Sequence, residues 1–149
     1  MGALKDRLSM ELREAIKARD KTRMATIRLL MTEVREREVD VGHELSDEEL
    51  QEVVSTQAKR RRESAEAYDE GARPELAEQE RAELAILKTY LPEQLSAEEL
   101  DAIIDEAVSA TGASGPGDLG KVMGRVMGRV KGRADGSEVR RRVAERLGG

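Results

Sequence analysis

From Gly120 to Val130 the chain repeats one four-residue step in which glycine, a basic residue and valine follow one another three times, within GKVMGRVMGRVKGRADGSEV. The apolar residues Leu119, Val122, Met123, Val126, Met127 and Val130 keep the spacing of a single helical face. The same step sets Gly120, Gly124, Gly128 and Gly132 four apart, with Lys121, Arg125 and Arg129 beside them and Lys131 and Arg133 just beyond. A glycine inside a helix costs roughly 1 kcal/mol relative to alanine. The repeat is therefore expensive unless something must approach the backbone closely. Another helix and an anionic partner held by the basic row both meet that requirement. The two coexist if the glycines turn inward and the cations outward, although a four-residue step drifts about 40° per repeat against the 3.6-residue turn.

The supply of large apolar side chains is thin. Leu, Ile and Val together make up about a fifth of the 149 residues, and Phe and Trp are absent. That lies near the composition of disordered chains, so foldedness has to come from patterning. No segment approaches the roughly 18 apolar residues of a membrane helix, and the N-terminus lacks a signal-peptide core. With no cysteine there is no disulfide framework and no thiolate metal site. These features lead us to expect a soluble, cytoplasmic protein. The net charge of −5 conceals a division, because residues 76–119 are strongly acidic and residues 120–149 strongly basic. Such asymmetry suggests either internal docking or a separate anion-binding face.

Helical signals run the length of the chain. Leu4, Leu8, Leu12 and Ile16 form a stripe ending near Arg19, and Asp20 is placed to cap a second helix bearing Met24, Ile27, Leu30, Met31 and Val34. Ser46 with Glu49 forms a capping box ahead of Leu50, Val53, Val54, Ala58, Ala65 and Tyr68. Pro74 suits the first turn of a fourth helix carrying Leu76, Leu84 and Leu87, which Pro92 closes off. Ser96 with Glu99 forms a second capping box. Asp118 is the expected cap of the glycine-basic helix, and Ser137 that of a last helix with Val139, Val143 and Leu147. No stretch alternates as a strand does. The reading is all-α and multihelical, with an N-terminal helical subdomain over 1–95 and a smaller three-helix subdomain over 96–149.

Catalytic chemistry finds little purchase. The lone His43 falls in a loop, no HExxH spacing occurs, and the carboxylates lie mostly on caps and polar faces. No catalytic residue, metal site or cofactor is expected. Gly115 to Gly120 satisfies GxGxxG and Gly115 to Lys121 satisfies GxxxxGK, but both chemistries need a strand feeding the loop, and here a helix precedes it. Val122 also stands where a hydroxyl would hold magnesium. Besides the C-terminal row, a second basic patch comprises Arg13, Lys17, Arg19, Lys21, Arg23 and Arg28 around the first helical turn-around. A solvated face is the simpler reading of that patch.

The blocks RLSMELREAIKARDKTRMATIRLL, QAKRRRESAEAY, YLPEQLS and DLGKVMGRVMGRVKGRADGSEV resemble those of the GatB/YqeY family over essentially the whole chain. Leu119 stands where that family often has Met. The resemblance implies an all-helical fold in two subdomains split near residue 95. It also implies a tRNA-engaging role for the Gly120 to Gly136 block, because the same module forms the tail of the B subunit of the glutamyl/aspartyl-tRNA amidotransferase. The family's kinase-like, ATP- and magnesium-dependent domain and its amide-hydrolysing Ser and Lys lie elsewhere, so this chain alone is not expected to transamidate.

The expected function is a non-catalytic tRNA-binding or accessory module, whose partners would be tRNA and an aminoacyl-tRNA amidotransferase or synthetase. The alternative is a protein-interaction module docking through helical grooves. Only Tyr68 and Tyr90 are aromatic, so stacking on bases cannot dominate recognition. Phosphate contacts from Lys121, Arg125, Arg129, Lys131 and Arg133 would have to carry it.

Overall fold

The computed structural model describes residues 2–148, which form seven α-helices and one 3-10 turn, with no strand among them. The helices are α1 (Ala3–Ala18), α2 (Lys21–Val41), α3 (Asp47–Glu70), α4 (Pro74–Lys88), α5 (Ala97–Thr111), α6 (Leu119–Val130) and α7 (Gly136–Arg146). The fold is all-α and multihelical. It divides into two compact units between Leu91 and Pro92. The second unit thus begins ahead of the expected 95/96 division. The reason is local, because the Leu95 amide donates to the Arg133 carbonyl at 2.8 Å and the Gln94 side chain donates to the Gly132 carbonyl at 2.9 Å.

Helix ends follow the capping chemistry. Ser46 and Ser96 each accept from the amide three residues on, while Glu49 and Glu99 reach back to the serine amides. Asp20 accepts from the Arg23 amide at 3.1 Å. Gly42 and Gly112 end α2 and α5 in the left-handed conformation that glycine adopts without penalty. Two ends differ from expectation, and a third was not anticipated. Asp118 stands at the N-cap of α6 as expected, but its side chain makes no capping bond; the carboxylate turns back to accept from the Ser114 amide at 3.0 Å, and a 3-10 turn, Pro116–Asp118, leads into the helix. The N-cap of α7 is Asp135, which leaves Ser137 inside the first turn. The N-cap of α1 is Gly2, and the Leu4 amide finds its acceptor on Asp47 at the start of α3, 3.2 Å away. A Cβ at Gly2 would crowd that carboxylate, so a larger residue here requires the Asp47 side chain to shift.

In the first unit, Leu8 of α1, Ile27 and Leu30 of α2, Leu50 and Val54 of α3 and Leu87 of α4 form the centre of one core. Ile16, expected on the buried stripe, is exposed, and Ala15 is buried instead. Farther along α3 and α4, the small residues Ala65 and Ala77 are buried, and Arg61 of α3 bridges Glu80 and Glu83 of α4, each at 3.1 Å.

Among the described residues three polar side chains, Glu11, Thr26 and Gln57, are buried in this unit, and Glu11 is the charged one. Glu11 is buried on α1, and its carboxylate accepts from Arg7 at 2.6 Å, from Arg23 of α2 at 2.8 Å and from the Tyr90 hydroxyl at 3.1 Å. The Arg7 guanidinium lies 4.7 Å above the Tyr90 ring and donates to the Thr89 carbonyl at 3.0 Å. Burial alone would raise the Glu11 pKa, but the hydrogen bonds from Arg7, Arg23 and Tyr90 outweigh it and hold the carboxyl below its ordinary value. Burial, followed by the neighbouring Glu11 charge, pushes the Tyr90 hydroxyl up to about 12.

Because the folded carboxyl of Glu11 titrates below its unfolded value, its contribution is complete above about pH 5 and lost as pH falls through the carboxylate range. Urea titrations across pH 3–7 should therefore show a shallower acid limb for Glu11→Gln than for the parent. At neutral pH, Tyr90→Phe should lower stability by about 1 kcal/mol and Glu11→Gln by roughly 1–2 kcal/mol. Parallel pH profiles for parent and Glu11→Gln would show that the network does not couple to folding.

Candidate anion-binding face of the second unit

The second unit packs α5, α6 and α7 against one another around Leu100, Ile104, Ala107, Val122, Val126, Val130, Val139 and Val143. The four-residue repeat sorts α6 into four stripes. Val122, Val126 and Val130 are fully buried, Met123 and Met127 flank them half-buried, and the glycine and basic positions are exposed. A step of four against a 3.6-residue turn keeps each residue class on one slowly drifting stripe over three repeats.

The glycines are not a packing surface. A Cβ at Gly120, Gly124 or Gly128 would meet nothing within 4 Å. The expectation that they admit a neighbouring helix within the chain is overturned, because the valines occupy the inward face and put the glycines on the far side. Gly132 lies beyond the end of α6, with φ of +78°, and turns the chain out of the helix toward Pro92. It is a conformational glycine rather than a fourth member of the stripe.

Lys121, Arg125 and Arg129 line up along α6 with side chains 60%, 47% and 53% exposed. Each has an acidic neighbour. Lys121 lies 3.6 Å from Asp118, and Glu106 of α5 takes Arg125 at 2.8 Å and Arg129 at 3.2 Å. The bond from Arg125 is the leading reason the Glu106 carboxyl is held below its ordinary value. Further along, Arg142 of α7 pairs with Asp101 at 3.0 Å and Arg146 with Asp105 at 2.8 Å. Much of the charge division read from the sequence is thus resolved inside this unit, where the acidic face of α5 meets arginines of α6 and α7. All these pairs are solvent-exposed on at least one side, where an ion pair contributes little and a competing anion can displace it.

Lys131 is exposed just past the helix end. Arg133 does not join the row, because its guanidinium donates to the Glu93 carbonyl at 3.1 Å. In the N-terminal patch, Arg23 is drawn into the Glu11 network, whereas Arg13, Lys17, Arg19, Lys21 and Arg28 remain on the surface. Arg19 ends α1 in the left-handed conformation, with φ of 57°. His43 is exposed, with Nδ1 2.8 Å from the Glu44 carbonyl. Among the described residues no three His, Cys, Asp or Glu side chains are placed to hold a metal ion, and no helix is long and apolar enough to cross a membrane. The glycine-rich phosphate-loop spacing falls on a helix-to-helix connector, with the Asp118 carboxylate accepting the Ser114 amide.

The sequence profile of YqeY-like proteins matches residues 5–147. The chain belongs to the YqeY-like family. Among curated proteins it is similar to one named altered inheritance of mitochondria protein 41, mitochondrial. The Lachancea thermotolerans protein is 30% identical over 112 residues, covering 73% of this chain and 60% of that protein. The Eremothecium gossypii protein is 31% identical over 113 residues, covering 71% and 62%. The Clavispora lusitaniae protein is 32% identical over 90 residues, covering 60% and 52%. This YqeY-like chain therefore spans about three fifths or less of the length of these relatives.

A bare backbone on the outer side of α6 has a measurable consequence. Gly124→Ala and Gly128→Ala put a methyl into open space on a regular helix, so each should stabilise the protein by roughly 0.5–1 kcal/mol. Thermal unfolding of the two single variants and the double variant checks this. A fall in Tm would mean that the glycine stripe packs against something in the folded protein.

Proposed function

We propose that the second unit of this YqeY-like protein engages folded tRNA through the exposed glycine-basic face of α6, as a non-catalytic accessory to cytoplasmic aminoacyl-tRNA amidation. The observation that carries this reading is the geometry of α6. Three cations stand along one side of a stripe where the backbone is uncovered, and the glycines there cost helix stability without serving any packing contact. A phosphate backbone gains from both features, since side chains neutralise its charge and the missing Cβ atoms let it come near the helix. The likeness to the tail of the amidotransferase B subunit, carried by the GKVM to GRADG block, supplies the substrate class.

With Arg133 engaged on the Glu93 carbonyl, Lys121, Arg125 and Arg129, with the exposed Lys131 just beyond the helix, are the cations that contribute to the salt dependence. The slope of log K against log salt should then be roughly −2 to −3. Recognition rests on phosphate position and on the shape of folded RNA, because the second unit contains no aromatic side chain.

Titration of purified protein with bulk tRNA across a salt series, with heparin and duplex DNA as competitors, tests the reading. Saturable micromolar binding that prefers tRNA is expected, and Arg125→Glu with Arg129→Glu should abolish it while leaving helicity intact. Glu106→Gln should have the opposite effect. Releasing both arginines from their shared acid should tighten tRNA binding about two- to fivefold, the scale of an exposed ion pair. Absence of binding at about 50 mM salt, where phosphate contacts are strong, would sink the proposal. Affinity unchanged in the arginine double variant would move the contact to Arg13–Arg28.

A further inference from the structure

The first unit holds a cavity of about 290 Å³ where the outer faces of α2 and α3 meet. Its walls follow from helical spacing. Glu33, Glu36 and Asp40 recur along one face of α2, and Glu49 and Glu52 begin the facing edge of α3. Five carboxylates thus line the cavity against two guanidiniums, Arg37 and Arg60. Arg60 is engaged with Glu33 across the helices at 3.6 Å. Glu36 and Asp40 make no ion pair among the described residues.

A polar group in the cavity wall is the more telling observation. Gln57 is 96% buried, since only 4% of its surface remains exposed, and it lines the cavity. Its side chain makes no hydrogen bond among the described residues, yet its amide atoms are not sealed from solvent. An amide that has no protein partner and faces the cavity is available to a donor that a ligand supplies. Beside it, Thr56 is satisfied by the Glu52 carbonyl at 3.1 Å, and Val41 and Val53 give the cavity an apolar wall.

We propose that this cavity binds a short aliphatic polyamine. The chemistry of each part favours that class. Carboxylates on successive turns of α2 are separated by about 5–10 Å along the axis, a spacing that suits ammonium groups joined by a few methylenes better than a single ion. A compact metal site would need its carboxylates converged, and among the described residues no such group exists. The Gln57 carbonyl accepts from an ammonium N–H, and the valines contact the methylenes. The volume lies at the small end of ligand pockets, about 300–1,000 Å³. The site is independent of the tRNA reading, since it lies wholly in the first unit.

Calorimetric titration of the full chain with spermidine at low ionic strength tests the assignment, with tetramethylammonium as a cation that has no N–H donor. One saturable site for spermidine and none for tetramethylammonium are expected. Glu36→Gln with Asp40→Asn should weaken binding about tenfold, and Gln57→Met about threefold, at unchanged helicity. Glu66→Gln with Glu70→Gln, on the same α3 but outside the cavity, should leave it unchanged. The Gln57 side-chain amide resonances should shift during the titration of the parent protein. Dissociation constants weaker than about 1 mM, equal weakening by the Glu66/Glu70 pair, or a silent Gln57 amide would each overturn the proposal.

Discussion

Glu11 is the point from which the first unit is tied together. A buried carboxylate is tolerated only when its charge and its lone pairs are answered, and here three donors answer it from three parts of the chain. Arg7 comes from the same helix, Arg23 from the next, and Tyr90 from the segment that closes the unit. Because Arg7 also covers the Tyr90 ring and holds the Thr89 carbonyl, the last residues of the unit are fixed to its first helix. Hydrophobic packing alone specifies such an arrangement poorly in a chain without Phe or Trp, since Leu and Val cores accept alternative seatings. A polar network with one satisfied geometry removes that freedom.

The second unit solves the same shortage of apolar volume differently. Its core is almost entirely Val, Leu, Ile and Ala, delivered by repeats that return to the same helical face. In α6 the four-residue step fixes what lies outward as firmly as what lies inward. Once Val122, Val126 and Val130 turn in, the glycines must face away and the basic residues must stand to one side. The acidic side of α5 then lies next to the arginines. The exposed cationic face and its internal acid partner are consequences of one repeat packed against one neighbour.

Much of this was legible in the sequence, where the signal is local. Apolar periodicity gave the helices, and serine followed three residues later by glutamate marked two N-termini that the structure bears out. What escaped was set by distant neighbours. Nothing near Glu11 in sequence distinguishes it from Glu14, because burial and the approach of Tyr90 are tertiary facts. Gln57 likewise reads as an ordinary polar position of a long helix. The glycine stripe misled for a related reason. Four-residue spacing shows that glycines share a face, but only the packing of the valines shows that this face is open. The glycine that a distant side chain does crowd, Gly2, carries no pattern at all, since its neighbour is Asp47.

Glu106 determines what the basic face can accomplish. A ligand reaching Arg125 and Arg129 competes with a carboxylate already bridging both. A single carboxylate or isolated phosphate exchanges one exposed ion pair for another and gains little. A polyanion bound as proposed would contact Lys121 at the same time and release condensed counterions from its own backbone, a source of free energy that one acid on α5 cannot match. In the proposed reading the internal pair would filter by valency, disfavouring small anions while leaving an extended phosphate backbone able to compete. The uncovered stripe beside the cations adds a steric criterion, since only a ligand that can lie along α6 benefits from Gly120, Gly124 and Gly128 together.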